Sequence, residues 1–389
     1  MLEPKLVINA LEEKINDFLQ YNIDFAKEKD FIEQSYEKFC SQSYEDMILK
    51  IEGIANPGAI PSEEFKKYPS FIVPFNNEFK NHEQARQWAK KNILNKVTVS
   101  VDGSQILPAK FFSVPVAVIQ TGWFISYHNT EGKYIKDIDF EVLSPKEILS
   151  GKVKGKLFSE TIVNIKRFQK EVDKIIELII ELKDLKPLIF FDGSFVLSFV
   201  DTMEDKELQG KYRDIIVKLL QTSQETQVPV IAYIDTTASR DISTLLTKFD
   251  SQENKETNFS DVNLLSSKMK WGDRSIFFTC ARKGILEEYG DYKRGIGFCF
   301  FKSNNSNPAR IDIPKWIFDK GCIENIIDII RAEVIIGTGY PYTIETADVT
   351  AVIRGEDRER FYKIFQEFIE KHNLDLKISK KAVSKIRRR

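Results

Sequence analysis

The sequence predicts an α/β protein, a largely parallel sheet flanked by helices with a helical extension in front of it. Three observations carry that prediction. Helical and strand-like textures alternate along the chain, three apolar strand candidates run up to an aspartate, and the amino-terminal stretch repeats apolar residues at three- and four-residue spacing.

From Leu6 to Lys50, apolar residues such as Leu11, Ile15, Phe18 and Leu19 recur among Glu and Lys as a helical stripe. Asn56-Pro57-Gly58 and Pro61 interrupt it. A second helix, His82 to Leu94, leads into Lys96-Val97-Thr98-Val99-Ser100-Val101, a β-branched strand that stops at Asp102-Gly103-Ser104. Phe111 to Ile119 and Gly122 to Tyr127 read as two further strands, and Ser159 to Lys183 as a long helix. Behind Pro187, the continuous run Leu188-Ile189-Phe190-Phe191 suits a strand buried on both faces, and it too stops at Asp-Gly-Ser, here Asp192-Gly193-Ser194. A helix from Lys206 to Gln221 connects to a third apolar strand, Val228 to Ile234, which ends at Asp235. Strand, helix, strand in this order favours right-handed crossovers and parallel pairing. Strands at Ser275–Phe278 and Gly295–Lys302 and helices at Ile323–Arg331 and Arg358–His372 close the fold, and a basic tail runs from Lys377 to Arg389. The expected division is an extension over residues 1–95, a catalytic domain over 96–375 and the tail over 376–389.

Composition narrows the function. A chain of 389 residues, 42% of them apolar, can bury a large core. Its 57 basic and 58 acidic groups leave a net charge of -1, so a polyanion would have to meet a local basic surface. The start Met1-Leu2-Glu3-Pro4-Lys5 lacks a basic segment leading into an apolar run, and the apolar stretch Val114 to Ser126 is interrupted and short for a bilayer; a cytoplasmic protein is expected. Cys40, Cys280, Cys299 and Cys322 are scattered, without a C-x-x-C pair, and read as buried thiols. With three histidines in the chain, any metal site would be built from oxygen ligands. There is no Walker-type phosphate loop, which argues against ATP hydrolysis by this chain.

The aspartates at strand ends are the central chemical signal. In an open α/β sheet, functional groups gather where strands end, and a following glycine leaves room for close approach. A single Asp-Gly is usually a turn. Two Asp-Gly-Ser tripeptides, each after an apolar strand, exceed what turns demand. Clustered carboxylates repel one another unless cations join them. Oxygen ligands of this kind suit Mg²⁺ or Mn²⁺, and a pair of such ions can activate water for phosphodiester cleavage.

Val99-Ser100-Val101-Asp102-Gly103-Ser104-Gln105 resembles the first motif of the NurA nuclease family. Further landmarks follow in the family's order: Arg167 and Glu171, Phe191-Asp192-Gly193-Ser194, Val228-Pro229-Val230 with Ser239-Arg240, Gly272-Asp273-Arg274-Ser275, Arg310-Ile311-Asp312-Ile313-Pro314, and Gly339-Tyr340-Pro341-Tyr342 with Ala347-Asp348. The likeness spans His82 to Asn373. It implies an RNase H-like core with a mixed, partly parallel sheet, and a Mn²⁺- or Mg²⁺-dependent deoxyribonuclease with exonuclease and single-strand endonuclease activity in DNA end processing and repair. It also implies a homodimer and a hexameric HerA-type ATPase as partner. Carried over by position, Asp102 and Asp192 are ligands, with Glu171 the helix carboxylate and Asp348 standing where many relatives have histidine. Glu160, Glu177 and Glu181 compete with Glu171, or form a solvated helix face. Asp235 is a further ligand candidate, or the cap of the Thr236-Thr237 turn.

Ser104, Arg240 and the tail residues Lys380, Lys381 and Arg387 are candidates for DNA contact. A ribonuclease on the same core, or an adaptor that binds DNA or a translocase without chemistry, are the competing readings. The intact set Asp102, Asp192 and Asp348 argues against the adaptor.

Overall fold

The first apolar strand does not stop at its aspartate. In the computed structural model, which describes residues 2–109, 112–149, 152–153, 156–157, 159–251 and 257–374, it runs unbroken as Thr98–Ile106, through Asp102-Gly103-Ser104. It continues because its antiparallel neighbour Ala117–Ser126 pairs with it throughout, Thr98 opposite Ser126, Asp102 opposite Gly122 and Ile106 opposite Val118. That neighbour is one strand where two were expected, because Gly122 is a point of close packing and not a turn. Phe111 lies outside the described residues.

Contacts divide the chain into two units whose segments interleave: Met1–Glu78 with Ile234–Glu287 and Lys293–Lys315, and Phe79–Tyr233 with Glu288–Tyr292 and Trp316–Arg389. In the latter unit, Thr98–Ile106 is the middle of the sheet. To one side lie Ala117–Ser126 and Tyr134–Leu143, each antiparallel to its neighbour. To the other side lie Leu188–Asp192, parallel from Thr98 opposite Leu188 to Val101 opposite Phe191, and then Val230–Ile234, parallel again. Three antiparallel strands followed by two parallel ones, with helices packed on the sheet, is the mixed, partly parallel order of an RNase H-like core.

The parallel strands are apolar for a reason. Leu188, Ile189, Phe190 and Phe191 are buried, and helices Ser159–Leu182 and Lys206–Thr226 pack together, with Phe168 set against both Phe191 and Tyr212. Each such phenylalanine contributes on the order of 1.5–3 kcal/mol by leaving water. Tyr134–Leu143, missing from the sequence expectation, is exposed along nearly its whole length, so its alternation of charged and apolar residues marks no buried face. Helices Ile323–Ile336 and Tyr342–Ala351 complete this unit's cover over the sheet, followed by Gly355–Lys371.

The other unit opens with helices Pro4–Glu12, Ile15–Cys40 and Tyr44–Glu52, the helical extension expected at the amino terminus. Its sheet runs Gly58–Pro61, Phe278–Ala281, Ile296–Phe301 and Ala309–Pro314, all antiparallel. Phe39, Phe65, Phe71 and Phe278 pack edge to face or tilted in its core. Arg310, buried, pairs with Asp312 and with Asp241, which also holds Arg282. Cys280 and Cys299 are buried as expected, Cys40 is partly so, and Cys322 is exposed at the start of a helix, contrary to the expectation of four buried thiols. Among the described residues, no helix is long and apolar enough to cross a membrane.

Candidate active site

Asp102 sits where the parallel ladder to Leu188–Asp192 ends. Val101 pairs with Phe191, so Asp102 and Asp192 are the next residues on adjacent strands. Neighbouring strands run about 4.8 Å apart, which sets the two backbones side by side at one edge of the sheet. Asp192 is exposed and Asp102 is half-buried.

Two helices bring further carboxylates to this edge. Glu171, buried at 7% exposure on Ser159–Leu182, lies over Gly103. A methyl group on Gly103 would come within 2.9 Å of both Cγ and Cδ of Glu171. The glycine after Asp102 is therefore the space that the glutamate occupies. Arg167, one turn earlier on the helix, donates to the Gly103 carbonyl at 3.0 Å and ion-pairs with Glu171. Its rival Glu177 pairs with Lys174 on the exposed helix face, and Glu160 and Glu181 are exposed too.

Asp348 comes from Tyr342–Ala351, a helix that lies against the sheet at Gly122. A Cβ on Gly122 would meet the Ala351 nitrogen at 2.6 Å and its Cα at 2.8 Å. Because Gly122 is the residue opposite Asp102, this close approach brings the helix to the level of the acidic cluster. Three contacts fix it there. Gln120 Nε2 donates to the Ala351 carbonyl at 2.9 Å, and the Ile353 amide donates to Ser104 Oγ at 3.1 Å. At the helix start, buried Glu333 accepts from the Thr343 amide at 2.9 Å and from the Thr98 hydroxyl at 2.9 Å, while His128 lies 3.0 Å from the same carboxylate.

The electrostatics agree with this grouping. Burial raises Asp102 to about 6, assisted by the charges of Asp192 and Asp348 and opposed by its bond to the Gly103 amide and by Arg167. Burial raises Glu171 to about 8, against the pull of Arg167 and with the repulsion of Asp102 and Asp192. Asp102 thus feels the charges of Asp192 and Asp348, and Glu171 those of Asp102 and Asp192. Among the described residues, no three His, Cys, Asp or Glu side chains are drawn together closely enough to hold an ion as they stand. Glu171 is turned to Arg167. The donor set itself, carboxylate oxygens beside a backbone stripped of a side chain, matches a hard divalent cation.

The remaining expected residues have other surroundings. Ser104 holds Ile353, and Ser194 closes a local turn with Val196, so the shared serine serves two different structural ends. Asp235 and Arg240 belong to the other unit. There Arg240 donates to the Thr257 carbonyl and Asn258, and Thr236 Oγ1 lies 3.5 Å from Asp235. Lys380, Lys381 and Arg387 lie outside the described residues. Two sequence landmarks are also accounted for by structure: Asp273 accepts amides from Phe75 and Lys270, and Arg274 grips Glu64. Gly122 and Glu333 received no role from the sequence, where Arg167 stood only as a family landmark beside Glu171. The glycine interrupting a β-branched run was the one visible sign among them.

No curated protein matches the chain. Among solved structures, the catalytic domain of human Endonuclease V matches with 13% identity and a TM-score of 0.34, covering 78% of this chain and 95% of its own. At that level of likeness it says nothing about the chemistry here. The model of the NurA domain matches residues 96–353, a span holding all four clustered carboxylates, and on that match the chain belongs to the NurA nuclease family.

Proposed function

We propose that the protein is a divalent-metal-dependent deoxyribonuclease, with Asp102, Asp192, Glu171 and Asp348 as the groups that hold the cation. The observation that carries this reading is that Asp102 and Asp192 follow directly on the last pair of the parallel ladder, Val101 with Phe191, with Glu171 beside Gly103. Family membership supports the hydrolase class, and the oxygen donors favour Mn²⁺ or Mg²⁺. When bound, such an ion supplies Lewis-acid stabilisation of charge on the phosphate and a more acidic water.

The chain's own residues do the rest. Asp102 and Asp192 present negative charge from two strands whose spacing is fixed by the ladder. Glu171 is held by Arg167, and Arg167 also bonds the Gly103 carbonyl, so strand and helix stay in register if the carboxylate turns away. Gly103 leaves the space in which Glu171 sits, and Gly122 sets the depth of the helix bearing Asp348.

Exonuclease with single-strand endonuclease activity in DNA end processing and repair is the proposed role, in the cytoplasm, as a homodimer working with a HerA-type hexameric ATPase. This part rests on family membership alone. The exposed apolar stripe of the amino-terminal helices, including Leu6, Leu11, Ile15 and Phe18, supports the dimer, since such a stripe wants a partner surface. Asp235, Ser104, Arg240 and the tail remain proposed contributors to metal or DNA contact.

The test is to incubate purified protein with end-labelled single- and double-stranded DNA and RNA, with Mn²⁺, with Mg²⁺ and with EDTA. Metal-dependent DNA cleavage is expected. RNA cleavage alone would assign a ribonuclease, and binding without cleavage under all three conditions would assign an adaptor.

A further inference from the structure

A cavity of about 390 Å³ opens on the sheet unit away from the carboxylates. Its rim carries three cations, Arg86 and Lys90 one turn apart on helix His82–Ile93 and Lys133 ahead of the edge strand. Its walls include two tyrosines in contact with solvent, Tyr134 at 62% exposure and Tyr342 at 39%. Between them lies buried Phe124, its ring centroid 5.8 Å from that of Tyr134 and 5.8 Å from that of Tyr342. Ser126 and His128 give the lining polar groups. Among the described residues no carboxylate lines the cavity, and none of Arg86, Lys90 and Lys133 makes a salt bridge. Lys133 Nζ lies 4.5 Å above the ring of Tyr127, beside the cavity, while Arg86 and Lys90 stand on its helical rim.

The cavity shares a face of the sheet with Asp102. Along Thr98–Ile106 and its partner, Asp102 opposite Gly122 and Thr98 opposite Ser126 are separated by an even number of residues, so both levels look to the same side of the sheet. Tyr342 begins the helix that carries Asp348, and six residues of helix advance about 9 Å.

We propose that this cavity is a binding subsite for single-stranded nucleic acid: it takes an unstacked base against Tyr134 or Tyr342, with the flanking phosphates at Arg86, Lys90 and Lys133. The inference rests on the proposed reading of the substrate as nucleic acid, and it adds where the strand is gripped. Aromatic stacking with cationic rims is the chemistry that holds single strands whatever their sequence. A duplex keeps its bases stacked inside and cannot offer one to a cavity of this size. Occupation of this subsite would orient a single strand along the helix towards Asp348 and Asp102.

Fluorescence anisotropy of a labelled oligothymidylate in EDTA tests the site without cleavage. Tyr134→Ala should weaken binding about tenfold, the scale of one base stacked on a ring, while Tyr134→Phe should retain it. Arg86→Ala with Lys90→Ala should lower the slope of log affinity against log salt by about 1.4. An oligonucleotide bearing 5-iododeoxyuridine should photo-crosslink to the Tyr134 or Tyr342 peptide. Wild-type affinity and salt slope in the folded variants, with crosslinks elsewhere, would overturn the assignment. If the wild type cleaves DNA with Mn²⁺ while the variants bind normally, the subsite falls and the nuclease reading stands. If the variants lose binding but the wild type cleaves nothing, the subsite stands and the nuclease reading falls.

Discussion

Replacing Gly103 with alanine separates the site from the fold. The added methyl would lie 2.9 Å from Cγ and Cδ of Glu171 and nearer still to its Oε1, and ordinary contact begins at 3.4 Å, so the carboxylate must retreat by more than 0.5 Å. A side chain can give way more easily than backbone, and the packing cost should fall at about 1–3 kcal/mol. Function should suffer more. A misplacement of about 1 Å at a reacting centre can cost on the order of 10²-fold, and half of that distance should cost roughly tenfold or more. The prediction is therefore a folded protein with a lowered melting temperature and a turnover number about 10- to 100-fold below wild type. Single-turnover cleavage of end-labelled DNA in saturating Mn²⁺, beside a circular-dichroism melt, reads both. Wild-type turnover in a folded Gly103→Ala protein would refute the claim that Glu171 works from its place beside Gly103.

Three further outcomes follow from the same geometry. Gly122→Ala puts a methyl 2.6 Å from backbone of the Asp348 helix, which cannot rotate away; cleavage and stability should both drop, by more than for Gly103→Ala, and equal or smaller losses would count against that helix setting the site's depth. Glu171 keeps its proton up to about 8 when folded and releases it near 4.5 when unfolded, so the metal-free fold binds the extra proton and stability falls as pH rises through that window, by up to about 1.4 kcal/mol per pH unit. Melts at pH 5.5, 6.5 and 7.5 in EDTA should show a slope that shrinks in Glu171→Gln, and stabilisation by Mn²⁺ should grow with pH; a slope unchanged in the variant would remove Glu171 as its source. Truncation after Leu376 should weaken DNA binding and flatten its salt dependence while turnover at saturating DNA holds, and an unchanged salt slope with unchanged stimulation by an ATPase partner would leave the tail without a DNA role.

The parts legible in the sequence were those where one physical demand acts alone. Leu188–Asp192 is buried on both faces, so its run of apolar residues announced a strand and its aspartate a strand end. Glu171 could be picked from its rivals only by position, because helical spacing does not say which glutamate faces a glycine on a neighbouring strand. Other features were hidden by conflicting demands. Asp102-Gly103-Ser104 reads as a turn, yet antiparallel pairing carries the strand through it. Tyr134–Leu143 alternates charge with apolar residues on an exposed edge and resembles a loop. Tyr342–Ala351 is rich in threonine and other β-branched residues, and only packing on Gly122 and the Glu333 network makes a helix of it. The interleaving of two units is invisible to any local pattern, since it depends on which distant segments pair.

The most direct test of the central claim is the Mn²⁺-dependent rate of DNA cleavage by Asp102→Asn and Asp192→Asn, each checked for wild-type folding. The amide keeps the shape and removes the charge. The account predicts that both variants fold and lose nearly all cleavage even in saturating Mn²⁺. Wild-type rates in both would contradict it.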